Sequence, residues 1–357
     1  MDKNKPDRNL SASTKSNSIL VIRLSALGDV AMSVPVLIAL RENYPNLEIT
    51  VLSNVKYEPF FSHIPYVNFH AAKVKTTHKG LFGLFELYRE ISVYNNNSIA
   101  DLHNVIRSQI IDLLAAFSGK KIQRIDKGRK QKKDLTKGDQ EELPQLKSTH
   151  ERYVEVFSEL GYNFSLFPTH VLLRRKISPK ILVKLGQEPK KWIGIAPFAA
   201  HMGKMYPLDL MEKVVADLAS NEKYKVILFG GGKKEVDILN NLASKYRGVI
   251  NLAGQCSFED ELSVISNLDI MLSMDSGNGH LAAMFGIPVV TLWGVTHPAL
   301  GFKPFMQPDK NQLLSDRVQF PLIPTSVYGN KVPDGYENVM RTISPQRVIN
   351  RINEILG

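Results

Sequence analysis

The chain has 357 residues, 43% of them hydrophobic and 22% charged, an ordinary balance for a globular protein. At a prior of about 150 residues per domain it has length for two separate cores. A single cysteine, Cys256, excludes an internal disulfide and a cysteine-built zinc site and fits a reducing cytoplasm, while a formal net charge of +10 favours anionic partners: nucleotides, nucleic acid or an acidic membrane surface.

Residues 1–17 are polar and charged and read as a disordered tail, not as a signal peptide or anchor. The apolar stretch Ile19 to Leu40 is interrupted by Arg23, Asp29 and Pro35, too broken for a membrane span. Ile19–Leu24 is a continuous apolar run of strand length, as expected for a parallel strand covered on both faces. Ser25-Ala26-Leu27-Gly28-Asp29 then turns into a helix reaching about Asn43, with Pro35 either kinking it or marking a late start. Glu48–Ser53 and Val67–His70 follow as strands, with a short helix or loop at Tyr57–Phe61 between them. Leu81–Tyr94 has helical spacing, and Ser98–His103 is a strand leading into a helix over Arg107 to Phe117. This alternation predicts a doubly wound parallel sheet.

Lys127 to Lys147 breaks the pattern with Lys130, Lys132, Lys133 and Lys137 and almost nothing apolar. It reads either as a solvated loop or as a basic flap for anionic lipid heads. Glu151–Leu160 is a helix ended by Gly161. A second alternating unit begins near Lys191, with strands at Trp192–Ala196, Lys225–Phe229 and Val249–Leu252 and helices at Leu208–Ala219 and Glu235–Tyr246. Ser257 with Asp260 marks a helix start, Val289–Trp293 is the final strand, and Ser344 caps the last helix, Pro345–Leu356. The expected domains are 18–170 and 171–343, followed by the terminal helix 344–357. Ligands in such sheets bind at the carboxyl ends of the strands, so the cleft between the halves is the expected site.

Five places on that rim carry candidate chemistry. Ile270 to Ala283 reads as strand, small-residue turn and helix; the helix amides at Ser276, Gly277, Asn278 and Gly279, with Asp275 and His280, could hold a diphosphate. The alternative is an ordinary turn with Ser276 as N-cap. Asp29 could take a proton from a substrate hydroxyl, or could simply complement the helix dipole. Lys204, in a loop of small residues, is a natural point charge for a leaving diphosphate, and the Gly230-Gly231-Gly232 loop permits close backbone approach. His103, Asn104 and Arg107 could hold the acidic groups of an acceptor beside the Gly28 turn, or could be a capped helix start. No Gly-Lys-Ser/Thr follows the glycines, and no Cys/His set has metal spacing, so neither a Walker loop nor a metal is expected. The lysines lack interleaved aromatics for base stacking, against nucleic acid.

Together the Ser25-to-Val30 turn, the Pro197-Phe198-to-Lys204 loop, Phe229-Gly230-Gly231, and Met274-Asp275-Ser276 with His280-Leu281-Ala282 resemble family 9 glycosyltransferases, the lipopolysaccharide heptosyltransferases, over about residues 18–357. The resemblance implies a GT-B fold, with two Rossmann-like domains facing an interdomain cleft. It implies inverting, metal-independent transfer, without a cofactor, from a nucleotide-diphospho-sugar (usually ADP-heptose) to a lipid-linked glycan. It makes Asp29 the base, Lys204 a diphosphate contact and Asp275 to His280 the donor site, in a cytoplasmic protein with peripheral contact to the inner membrane. Two places depart from the family pattern: Met205-Tyr206-Pro207 stands where Trp-Pro is frequent, and Gly277-Asn278-Gly279 where one larger apolar residue is common. The rivals are another nucleotide-sugar enzyme of the same fold, such as an epimerase, and a non-catalytic nucleotide- or lipid-binding protein.

Overall fold

The computed structural model describes residues 17–138, 142–186 and 188–357. The expected tail lies, apart from Asn17, outside the described residues.

The first half runs β1 (Ser18–Ile22), α1 (Leu27–Asn43), β2 (Glu48–Asn54), α2 (Glu58–Phe61), β3 (Val67–Ala72), α3 (Gly80–Ser92), β4 (Ser98–Asp101), α4 (Ile106–Ala116), β5 (Lys121–Arg124), α5 (Arg129–Leu135) and α6 (Thr149–Glu159). Its strands form a parallel sheet in the order β3-β2-β1-β4-β5. The central strand β1 is buried along its whole length, which is why it reads as an unbroken apolar run.

The second half runs α7 (Pro179–Leu185), β6 (Lys191–Ala196), α8 (Leu208–Ser220), β7 (Tyr224–Leu228), α9 (Lys233–Lys245), β8 (Val249–Asn251), α10 (Phe258–Ile265), β9 (Ile270–Met274), α11 (Gly277–Ala283), β10 (Val289–Trp293), β11 (Gln312–Leu314) and α12 (Pro345–Leu356). Its parallel sheet has the order β11-β10-β9-β6-β7-β8. The carboxyl ends of β9, β6 and β7 therefore stand side by side and carry the Asp275, Pro197 and Gly230 loops in that order. Ser257 and Ser344 cap their helices as the sequence predicts, accepting from the amides of Asp260 and Arg347.

Three elements differ from the sequence reading. Val289–Trp293 is not the final strand, because the three residues of β11 pair with it at the sheet edge. The short β5, with Ile122 as its one apolar residue, extends the first sheet. The basic stretch is partly folded: Gly128, at φ +59°, turns the chain into α5, and Leu135 is buried against Ala299 and Leu300 of the other half. One apolar anchor in a lysine-rich run is a weak signal, which is why the segment resembles a loop in sequence.

The halves meet directly. α1 packs on both α6 and α11, and one continuous core includes Val30, Val34 and Leu37 of α1 with Leu281, Ala282 and Phe285 from the other half. Backbone hydrogen bonds cross the junction from the Leu146 amide to the Ala299 carbonyl and from the Thr149 amide to the Gly301 carbonyl, at 3.0 and 2.9 Å.

Candidate active site

Asp29 is at the third position of α1, just beyond the carboxyl end of β1. Its Oδ2 accepts from the Ala26 amide at 3.3 Å and pairs with the Arg23 guanidinium at 2.7 Å, so it caps the helix and forms an ion pair at once. Arg23 is itself buried and donates to the Leu102 carbonyl, while the Tyr153 hydroxyl donates to the Asp29 carbonyl at 3.1 Å. The carboxylate is thereby fixed in direction, yet its side chain remains 31% exposed.

It opens onto a cavity of 220 Å³ whose wall also holds Arg23, His103, Lys127, Lys132 and Arg152. Four cations thus surround one acid. Burial, reinforced by neighbouring cations such as Arg23 for Lys127 and Arg152 for Lys132, pushes both lysines down to about 8. Lys132 lies 3.9 Å from the centre of the Phe302 ring, which attracts its charge from the opposite half. Burial and the charges of Arg23 and Lys127 push His103 down to about 3, so it is neutral; its Nε2 is 3.4 Å from Ser25 Oγ and its Nδ1 has no partner.

Of the expected acceptor cluster, only His103 lines this cavity. Asn104, at φ +42°, donates to the Ile125 carbonyl and accepts from Gln109, so its amide is spent on the turn. Arg107 is exposed on the first turn of α4. The cationic wall comes instead from Arg23, Lys127, Lys132 and Arg152, which sequence reasoning missed; the only signal was the lysine-rich run itself. Lys127 and Lys132 turn inward, whereas Lys130, Lys133 and Lys137 face solvent, so neither a wholly solvated loop nor a wholly outward flap describes this stretch.

Across the junction, Lys204 ends a short 3₁₀ turn after β6, and its Nζ lies 2.9 Å from both the carbonyl and Oδ2 of Asp275. The Thr296 hydroxyl donates to the same Oδ2 at 2.8 Å. Asp275 is thus a buried anchor that aims Lys204. Ser276 has the extended backbone of an N-cap, but its side chain makes no capping bond, and its buried Oγ is unpartnered. The ordinary N-cap reading therefore fails at the side chain. His280 is buried; burial lowers its pKa against the opposing pull of Asp275 and Asp29, and its Nδ1 is unpartnered.

Glycines let the two turns touch. A Cβ on Gly28 would stand 2.8 Å from the His280 ring, and one on Gly277 would stand 2.8 Å from Leu27. Gly28 is therefore an interdomain packing position and does not line the cavity. Gly279 packs on Ser273 Oγ within its own half, and Asn278 is half-buried. The Gly231 amide donates to Glu235 Oε2 at 2.7 Å, and Gly230 packs near Leu239 and Phe198, so that loop presents a carboxylate beside its amides. Tyr206, at the departure from the family pattern, is buried and donates to the Ile343 carbonyl at 2.6 Å, joining the Lys204 loop to the segment before α12.

Two facing Rossmann-like sheets with an acid on one rim and a lysine-bearing turn on the other define a GT-B glycosyltransferase. The family model for glycosyltransferase family 9 (heptosyltransferase) matches residues 88–321, and the chain belongs to that family. It is similar to lipooligosaccharide heptosyltransferase 2 of Haemophilus ducreyi, at 26% identity over 95% of this chain and 99% of the relative. Its fold is shared by a family 9 glycosyl transferase from Veillonella parvula, at TM-score 0.72 and 19% identity, covering 96% of this chain and 97% of that one. It is likewise shared by ADP-heptose LPS heptosyltransferase II of Escherichia coli, at TM-score 0.65 and 19% identity over 95% and 98%.

Proposed function

We propose that this glycosyltransferase moves a heptose from ADP-heptose to a lipopolysaccharide core or a related lipid-linked glycan, with inversion and without a metal. The observation that carries the reading is the juxtaposition of Asp29 and the Ser276–His280 turn, brought together by contact of Gly28 with His280. The donor and acceptor classes come from the similar heptosyltransferases.

In the proposed reaction the acceptor hydroxyl loses its proton to Asp29 as its oxygen attacks the anomeric carbon. The bond from that carbon to the diphosphate oxygen breaks from the opposite face, so configuration inverts. The electron pair leaves with the nucleotide diphosphate, where Lys204 and the amides and unpartnered hydroxyl at Ser276 stabilise the developing charge. One carboxylate suffices, because a single displacement needs a base and no protein nucleophile. The excess of cations around Asp29 fits an acceptor that carries acidic groups. Such an acceptor would be met at the cytoplasmic face of the inner membrane.

Calorimetry with ADP, UDP, GDP and CDP, with and without magnesium, tests the donor side. Tight ADP binding unchanged by magnesium is expected, and preference for another nucleotide overturns the heptose assignment. No binding to any of the four overturns the donor site itself.

A further inference from the structure

The first half carries an apolar surface that the reaction does not use. α3 and α4 lie side by side on one face of the sheet, burying Leu84, Leu87 and Ile91 with Ile111 and Ala115 against β1, β2 and β4. The Tyr88 hydroxyl meets Ser118 Oγ at 2.8 Å, tying the two helices together near their carboxyl ends. Their outer faces are nonetheless apolar. Phe82 is 91% exposed and Phe117 84% exposed, and Leu81, Phe85, Ile106 and Leu113 are also exposed large hydrophobics. Three such side chains on α3, and two on α4 with a third at its C-cap, concentrate exposed apolar bulk on one pair of adjacent helices, unlike the scattered single hydrophobics of an ordinary surface.

The charge around this patch has one sign at the end nearest the active site. The loop into α3 carries the exposed Lys73, Lys75 and Lys79, the first turn of α4 carries Arg107, and neither stretch 73–82 nor 102–109 contains an acid. Farther along α3, Glu86 is paired with Arg89, and Glu90 accepts from His70 and His78. Both helices start at the carboxyl edge of the sheet, the edge that bears Asp29. Ile106 follows the cavity-lining His103 by three residues.

We infer that the α3–α4 face docks on an anionic lipid bilayer, with its aromatic side chains in the acyl boundary and Lys73, Lys75, Lys79 and Arg107 among the head groups. This rests on the proposed lipid-linked acceptor, because a membrane contact at this edge presents the cavity of Asp29 to a glycan held at the same surface. Among the described residues no helix is long and apolar enough to cross a membrane, so the contact is made by the surface alone. Apolar insertion and lysine attraction act together, since neither a few aromatics nor a few charges alone give stable anchoring. The docking surface lies on α3 and α4, outside the lysine-rich segment 127–147.

Sedimentation with vesicles tests the assignment on the full chain. Phosphatidylcholine vesicles are compared with two-to-one phosphatidylcholine–phosphatidylglycerol vesicles, using the wild type, Phe82→Ser with Phe85→Ser, Lys75→Glu with Lys79→Glu, and Lys130→Glu with Lys133→Glu. The first two double variants should lose at least tenfold in partitioning to the anionic vesicles, with the third close to wild type and far-UV circular dichroism unchanged. Transfer to a delipidated, water-soluble acceptor should persist in all three. No vesicle binding by the wild type, equal binding to neutral vesicles, or loss only in the Lys130/Lys133 variant overturns the proposal. Self-association abolished by Phe82→Ser with Phe85→Ser, without vesicle binding, would instead make the face a contact between copies of this chain. Failure to bind ADP would sink the transferase reading and leave the vesicle result standing.

Discussion

The turns after β1 and after β9 are built alike: a strand inside its sheet ends, small residues follow, and a helix begins with a carboxylate nearby. Their carboxylates are used differently. Asp29 sits inside the helix, is held by Arg23 from one side and keeps part of its surface in a cavity. Asp275 sits before the helix, is only 6% exposed, and spends its Oδ2 on Lys204 and Thr296. A carboxylate that is fixed yet accessible can exchange a proton with a ligand, whereas one enclosed by its own partners can only position them.

Substitution at the two acids should separate these roles most sharply. Asp29→Ala is expected to lower kcat by about 10²–10⁴, the usual worth of a positioned general base, and to leave ADP affinity within about twofold. Near-normal turnover would remove Asp29 from the chemistry. Asp275→Asn should act through Lys204 and weaken ADP binding. Lys204→Ala should weaken it by about ten- to a hundredfold, as expected for a lost charge-assisted hydrogen bond worth about 1.5–3 kcal/mol. If Asp275 serves only to aim Lys204, Asp275→Asn combined with Lys204→Ala should cost scarcely more than Lys204→Ala alone. Full additivity in calorimetry would give Asp275 an independent contact with the donor.

A smaller effect should appear on the acceptor side alone. Lys127 and Lys132, pushed down to about 8 by burial, are cationic below that pH and lose their protons as pH rises through it. An acidic acceptor pairs with the protonated form, so its affinity is present below about pH 8 and lost above. KM for such an acceptor should rise about tenfold between roughly pH 7 and 9.5, consistent with losing one or two charge-assisted contacts. KM for the donor should stay flat, since the proposed donor turn holds neither lysine. Lys132→Met should raise the acceptor KM at pH 7 and shrink its later rise; an unchanged profile would remove Lys132 from the acceptor site.

The sequence made one half of this comparison far easier to read than the other. The apolar runs of β1 and β9, the glycines beside them and the periodic helices mark the architecture, because strands covered on both faces leave an unbroken hydrophobic signature. Asp29, Lys204 and Ser276 stand immediately after such runs and are legible for that reason. The cationic wall is not, since Arg23 is embedded in a strand-like run and Arg152 in a helix, while Lys127 and Lys132 look like a solvated loop. Their convergence depends on α5 being pinned by Leu135 against the opposite half, a tertiary contact with no local pattern. The packing role of Gly28 is hidden for a similar reason: that a glycine faces His280 across two halves is invisible until both turns are placed. Strands β5 and β11 leave no sequence signature, because four residues with one apolar side chain, or three mixed ones, at a sheet edge give too short a period to detect.

A last predicted effect lies behind the His103 turn and concerns stability, not rate. Asp101 Oδ1 accepts from the His103 and Asn104 amides at 2.8 Å, and its Oδ2 is buried without a partner, as is Oδ1 of the adjacent Asp112 on α4. Burial and the neighbouring Asp101 push Asp112 up to about 7 despite its bond with Arg124, and a retained proton on Asp112 would satisfy both orphaned oxygens. A carboxyl whose folded pKa lies above its unfolded value stabilises the fold fully below about pH 4, and that contribution is lost as pH rises through about 7. Even a one-unit difference between folded and unfolded chain amounts to about 1.4 kcal/mol. Urea midpoints of the wild type should therefore fall between pH 5 and 8 relative to those of Asp112→Asn, whose amide donates a hydrogen bond at every pH. Parallel curves for the two proteins would show that Asp112 ionises without cost. The turn that places His103 would then be held by the backbone bonds to Asp101 alone, with no proton shared beneath it.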